Sequence, residues 1–382
     1  MLPYGRQQID DDDIEAVVEV LRSDWLTTGP AVERFETALA NSTGSVEAVA
    51  VSNGTAALHA AMSVLDLSPG DEVIVPAMTF AATANAVLYV GGRPVFADVC
   101  PNSLLVDPES IEYRISDRTR AIVAVDYAGQ PCNYQRLREL ADKYHLALIA
   151  DACHSLGATY GNQPVGTLAD MSCFSFHPVK PVTTGEGGAI TTNDTAFAGR
   201  LRCFRSHGIS SDFRQRARDG VHAYSMSELG YNYRMSDIHA ALGFSQLGKL
   251  NTWTARRERI ALKYDQLLAE VEKCEPLSRL SGRTNAWHLY VVRLASDVNR
   301  DDVFAELRRK GIGCNVHYLP VYRHPYYQEA LGHPSGQCPE AEAAYQQILS
   351  LPIFPAMTEE DVEWVCHELA KCLVPSGIRA AA

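Results

Sequence analysis

Residues 173–194, CFSFHPVKPVTTGEGGAITTND, carry an apolar run, Cys173–Phe176, into a turn with one lysine, Lys180. A lone loop lysine is ordinarily a solvated charge. Here Pro181 stiffens the chain beside it, and the glycines at 185, 187 and 188 admit backbone close to a bulky group. A lysine held and partly desolvated in that way loses its proton near neutrality and attacks a carbonyl, forming a Schiff base. Ser175 and His177 stand in the same stretch.

Two other stretches end apolar runs with polar residues. In LALIADACHS, Asp151 closes a run where a carboxylate is costly to bury without a partner. It either caps the next turn or pairs with a protonated ring nitrogen and keeps it protonated. His154 follows three residues on and reads first as a packed, hydrogen-bonded histidine. In SNGTAALHAA a valine-rich run ends at Ser-Asn-Gly-Thr before a helix pattern. Asn53 or Thr55 caps that helix, or its free N–H groups and the Thr55 hydroxyl hold a phosphate. A phosphate cradle, a carboxylate for a ring nitrogen and an amine for an aldehyde are the three handles of pyridoxal 5'-phosphate.

Other chemistries fit less well. No G-x-x-x-x-G-K-[ST] loop occurs, and GEGGAI does not match the dinucleotide pattern G-x-G-x-x-G. The formal charge of −12, from 34 basic and 46 acidic residues, argues against nucleic acid or an anionic membrane as partner. The ten cysteines are scattered without a C-x-x-C pair, so no metal site is expected and reduced thiols in the cytoplasm are. No apolar run reaches the ~20 residues of a membrane span, and MLPYGRQQIDDDDIEAV does not read as a secretion signal.

The elements that must hold these residues alternate. DDDIEAVVEVLRS (11–23) has the spacing of an amphipathic helix, with Ile14, Val17, Val18 and Leu21 on one face. VEAVAVS (46–52), DEVIVPAM (71–78), RPVFADV (93–99), RAIVAVDYAG (120–129) and LALIADA (146–152) read as strands. Helix patterns such as AALHAAMSVL (56–65) and NYQRLRELADKYH (133–145) lie between them. That alternation predicts an α/β fold with a mostly parallel sheet and a site beyond the carboxyl ends of its strands. After the long charged helix that follows residue 249, WHLYVVRL (287–294) and GCNVHYL (313–319) read as strands around a helical RDDVFAELRRKG. The expected division is a large α/β domain over residues 1–250 and a smaller α+β domain over 251–382, with PSGIRAAA as a loose tail.

The order NGTAAL, MTFAATAN, DACHSLG, SFHPVKPVTTGEGGAITTND and GYNYRMSDIHAA resembles the DegT/DnrJ/EryC1/StrS sugar aminotransferases, from LPYGRQ to LPIFPAMT. The resemblance implies pyridoxal-phosphate fold type I. It implies that Lys180 forms the Schiff base with the cofactor and moves the proton, while Asp151 keeps the pyridine nitrogen protonated. Phe80 would stack on the ring, with His154 also at the cofactor, and Gly54, Thr55 and Ser175 would hold the phosphate. Asn232 would reach the phosphate from a neighbouring subunit, which implies a homodimer with shared sites. Tyr4, Asp24, Trp25, Leu26, Thr27, Glu186, Asn315, Val316, His317 and Tyr318 would meet a nucleotide keto sugar, and L-glutamate would supply the amine.

VDYAG, FRSHGI and NVHYLPVYRHPYY are most similar to the branch serving pseudaminic acid synthesis, which aminates a UDP-linked 4-keto-6-deoxy-N-acetylhexosamine at C4. The branches acting on UDP-4-keto-arabinose and dTDP-4-keto-6-deoxyhexoses are alternatives. NGT stands where the first two branches tend to have Ser-Ala-Thr, Pro181 where asparagine is frequent, and His154 where many relatives carry glutamine. A pyridoxamine-dependent sugar dehydratase of the same fold carries histidine in place of the lysine, so Lys180 argues against it. A non-catalytic cofactor-binding regulator would need a sensor or DNA-binding module that no segment resembles.

Overall fold

The computed structural model describes residues 1–374 apart from 212–215, 217 and 219, so the expected PSGIRAAA tail lies outside the described residues. Seven strands form the main sheet: β1 Glu47–Val51, β2 Glu72–Pro76, β3 Arg93–Ala97, β4 Thr119–Val125, β5 Ala147–Asp151, β6 Met171–Ser175 and β7 Gly188–Thr192. Their order across the sheet is β1-β7-β6-β5-β4-β2-β3, and β7 alone runs antiparallel to its neighbours. Runs such as EVIVP and LIAD are buried throughout, as a sheet covered on both faces requires. The fold is thus the mostly parallel α/β architecture that the alternation predicts.

Helices Gly54–Ser63, Ala81–Tyr89 and Tyr134–Tyr144 occupy the predicted connections. The helix Asp11–Arg22 forms where expected, under a capping box between Asp10 and Asp13. Its apolar residues do not all turn inward, however. Ile14 and Leu21 are 54% and 56% exposed, while Asp13 is buried with its carboxylate taking the Gln246 amide and Lys249. A strong polar partner on the core side outcompetes the apolar stripe there.

A second, antiparallel sheet joins β8 Cys274–Pro276, β9 Tyr290–Leu294 and β10 Ile348–Leu351. Helices Leu250–Leu268, Arg300–Arg309 and Glu359–Leu373 pack around it, and an apolar cluster runs from Ile260 to Leu373. Two strand assignments need correction. β9 starts at Tyr290 rather than Trp287, whose φ of +51° lies in the left-handed region and cannot continue a strand. GCNVHYL is not a strand: it meets β10 at the single bridge Asn315–Ser350. Its polar side chains are drawn to a cavity beside the large sheet, so it has no regular alternation of faces. Further on, Tyr322 and Tyr327 return to the main core against Phe96.

Candidate functional site

The carboxyl ends of β1, β2, β5 and β6 open on a cavity of about 450 Å³, closed on its other side by His288 and residues 315–318. Lys180 sits in the connection between β6 and β7. That loop is pinned where Ser175 pairs with Gly188, where Phe176 N–H donates to Gly187 O at 2.8 Å, and where Lys180 N–H donates to His177 O at 2.9 Å. Its amine meets Nε2 of His288 at 3.3 Å, the one hydrogen-bond partner it has among the described residues. Burial lowers the Lys180 pKa below the ordinary lysine value, and the neighbouring Cys153 and Asp151 oppose that shift. The amine is therefore more easily freed of its proton than a surface lysine.

Asp151 is the last residue of β5, in register with Val125 on β4 and Cys173 on β6. Its Oδ2 accepts from the Thr83 hydroxyl at 2.7 Å, and Oδ1 accepts from Cys153 N–H at 3.3 Å. The carboxylate steadies the following turn, as the capping reading expected, and it also lines the cavity with lone pairs to spare.

Asn53 caps the helix Gly54–Ser63, its Oδ1 accepting from Ala56 N–H at 2.8 Å. The helix start keeps the Gly54 and Thr55 amides at the cavity wall, beside Ser175. A Cβ on Gly54 would lie 2.8 Å from Ser175 Cβ, and one on Gly188 would lie 2.4 Å from Asn53 O. Glycine is thus required for the three chain segments to approach each other, and the result is a compact nest of donors at a helix N-terminus.

Histidines crowd the opposite wall. The rings of His154 and His288 lie with centroids 4.3 Å apart and planes tilted by 45°, and the Tyr318 hydroxyl lies 3.2 Å from His154 Nε2. Burial, followed by the charge of Lys180, pushes both histidines well below the ordinary value, and the same causes bring His317 down to about 4. His317 is also held by Ser350 at 2.8 Å, and Tyr127 donates to its carbonyl. All three rings are therefore neutral in the physiological range.

Of the residues singled out from sequence, Tyr4, Gly54, Thr55, Phe80, Asp151, His154, Ser175, Lys180, Glu186, Asn315, Val316, His317 and Tyr318 line this one cavity. Phe80 stands at its mouth, 60% exposed, and Glu186 at its lip. Asp24, Trp25, Leu26, Thr27 and Asn232 do not line it. They lie on an exposed face where Thr27 bridges Ser236 and Asn232 bridges Ser206.

Sequence reasoning missed His288, Thr83 and Cys153. A histidine inside the apolar WHLYVVRL was the available signal for the first, and Cys153 stood between Asp151 and His154 in LALIADACHS; Thr83 gave none, since only folding brings helix Ala81–Tyr89 against β5. Among the described residues no group of three or more His, Cys, Asp or Glu is placed to hold a metal ion, and no helix is long and apolar enough to cross a membrane.

The family model described as the DegT/DnrJ/EryC1/StrS aminotransferase family matches residues 7–370. The spore coat polysaccharide biosynthesis protein SpsC of Bacillus subtilis is 37% identical over 368 residues, covering 95% of this chain and 94% of its own. The structure of Helicobacter pylori PseC, an aminotransferase involved in the biosynthesis of pseudoaminic acid, superposes with a TM-score of 0.92 at 34% identity, covering 97% of this chain and 98% of that one. A putative sugar aminotransferase, Spr1654 of Streptococcus pneumoniae, in its PMP-form, gives a TM-score of 0.93 at 31% identity, covering 97% and 99%. Its PLP-form gives 0.91 at 30%, covering 97% and 98%.

Proposed function

We propose, from the premise that this chain belongs to the DegT/DnrJ/EryC1/StrS aminotransferase family, that it is a pyridoxal-phosphate enzyme moving an amine from L-glutamate to a nucleotide-linked keto sugar. The observation that carries this reading is that a partly buried lysine amine, a strand-end carboxylate and a helix N-terminus closely packed through glycine face one cavity. The residues present fit the cofactor. Asp151 has a carboxylate oxygen with capacity beyond its contact to Cys153, and the missing Cβ of Gly54 lets Ser175 close on the helix N-terminus, so that donors suited to a phosphate gather at one wall. When bound, pyridoxal phosphate supplies an electron sink beside its aldehyde carbon.

In this reading Gly54, Thr55 and Ser175 hold the phosphate, Asp151 holds the proton of the ring nitrogen, and Phe80 and His154 flank the ring. Lys180 would hold the cofactor's aldehyde carbon through Nζ and, when free, would move a proton at that atom. Tyr4, Glu186 and residues 315–318 face the sugar. Asn232 and residues 24–27 act across a homodimer, reaching the neighbouring subunit's cavity; their exposure, and their absence from the lining of their own cavity, support that assignment. The two half-reactions share the cavity in turn, which makes the cycle ping-pong. Residues 1–250 then form the cofactor-binding domain and 251–382 a smaller one that covers it, in a cytoplasmic enzyme.

For the sugar we favour a UDP-linked 4-keto-6-deoxy-N-acetylhexosamine aminated at C4, as in pseudaminic acid synthesis, and the likeness to PseC supports it. The test is a purified protein with a yellow chromophore that borohydride bleaches and that Lys180→Ala lacks. Its pyridoxamine form is then offered UDP-4-keto-6-deoxy-N-acetylhexosamine, UDP-4-keto-arabinose and dTDP-4-keto-6-deoxyhexose. Turnover of either of the last two with the first inert overturns the choice of sugar; a colourless protein overturns the cofactor.

A further inference from the structure

We infer that His288 is a positioning residue for Lys180: its imidazole orients the lysine amine in the cavity and supports the protonated form of that amine. The inference rests on Lys180 being the reactive amine proposed above. Nε2 of His288 stands 3.3 Å from Lys180 Nζ, and its Nδ1 is buried without a partner, so the lysine is the only polar contact of the ring among the described residues. The backbone around it is tied down on both sides, with Ala286 N–H donating to Gly129 O at 3.0 Å and Leu289 N–H to Ala128 O at 3.2 Å. The ring is backed by His154, which Tyr318 holds in turn. A histidine so confined cannot swing away, and a rigid acceptor fixes the direction of a flexible four-carbon side chain.

The groups facing the Lys180 amine are Asp151 at the end of β5 with Cys153 just after it, His154 beyond them, His288 before β9, and His317 opposite, with Arg257 behind His288. Asp151 favours the ammonium through charge at a distance, and the direct contact puts a neutral His288 Nε2 where it would accept from that ammonium. A hydrogen bond to a charged donor is stronger than one to a neutral amine. Removing it therefore moves the lysine toward its free form at a given pH.

The experiment uses the protein without added cofactor. Labelling of Lys180 by an amine-reactive reagent is followed by mass spectrometry across pH, in wild type and in His288→Phe, His288→Asn and His288→Gln, each checked for folding by its thermal melt. The Phe variant is expected to shift the labelling midpoint to lower pH by about half a unit or more. The shorter Asn loses the reach and shifts likewise, deciding the matter if Phe does not fold, while Gln keeps the wild-type midpoint. Unchanged midpoints in Phe and Asn, or a Gln midpoint shifted as far as theirs, overturn the inference. Failure of the wild-type protein to bind pyridoxal phosphate would be a separate result and would sink the proposed function instead.

Discussion

The carboxylate of Asp151 and the hydroxyl of Thr83 are 2.7 Å apart across the gap between β5 and the helix Ala81–Tyr89, and Thr83 in turn meets the Thr79 hydroxyl at 2.7 Å. This short relay of hydroxyls joins a strand end to the residues flanking Phe80 and leaves the other oxygen of Asp151 with its capacity for the cavity.

Asp151→Asn removes the charge that holds a ring proton while keeping the shape. Transamination is expected to fall roughly ten- to a thousandfold, following the one to three pKa units that an adjacent opposite charge commands. Thr83→Val, which removes one bond to a charged acceptor, is expected to cost about 1.5–3 kcal/mol in urea unfolding. An Asp151→Asn enzyme with wild-type kcat would remove the carboxylate from the mechanism.

Gly54→Ala and Gly188→Ala probe the cradle. The new methyl of the first meets the Ser175 side chain at 2.8 Å, and that of the second meets backbone of Asn53 at 2.4 Å. Overpacking of this kind costs about 1–3 kcal/mol. Gly188→Ala should be the worse, since a backbone carbonyl cannot rotate aside. Thermal melts rank the pair, and titration with pyridoxal phosphate should give weaker binding for Gly54→Ala.

Asp126 lies fully buried after β4, accepting from Ser155 Oγ at 2.7 Å, Cys132 N–H at 2.8 Å and Tyr134 OH at 3.0 Å. Burial outweighs those donors and raises its pKa from 3.8 to about 6. A carboxyl raised on folding contributes stability at low pH that is lost as pH climbs through 6. The span corresponds to on the order of 3 kcal/mol. Asp126→Asn should therefore flatten part of the stability profile between pH 4 and 6, measured by urea unfolding; parallel profiles for the two proteins would contradict this.

His154, His288 and His317 act in the opposite sense. Their pKa values are depressed on folding, so the stability they contribute is present above the ordinary histidine value of 6.5 and is lost as pH falls toward 4. Three such groups against one aspartate make net destabilisation on acidification the expected outcome. His317→Asn should lessen the loss between pH 6.5 and 4, and a variant as acid-sensitive as wild type would count against the assignment.

Shared sites in a homodimer make a sharper prediction. Lys180→Ala and Asn232→Ala should each be nearly inactive alone. Mixed and refolded together in equal amounts, they should recover about a quarter of the wild-type sites, since half the dimers are hybrids with one intact site each. No recovery, with hybrid dimers demonstrated by mass, would place Asn232 outside the neighbour's site.

The strand runs from VEAVAVS to LALIADA were legible because strands buried on both faces must be continuously apolar, and the polar residues that end them stand out against that background. Lys180, Asp151 and the Ser-Asn-Gly-Thr turn could be read for the same reason. The resemblance to a family then supplied roles that composition does not encode. Other features have no local signature. His288 meets Lys180 across 108 residues of chain, and Thr83 meets Asp151 across 68. GCNVHYL looks like a strand until its side chains are claimed by a cavity, and Ile14 and Leu21 look buried until Asp13 takes the inward position with Gln246 and Lys249. Pattern in the chain determined which residues could react. Only the packed structure decided which of them meet, because the free energy of a buried polar contact depends on both partners and sequence spacing describes one at a time.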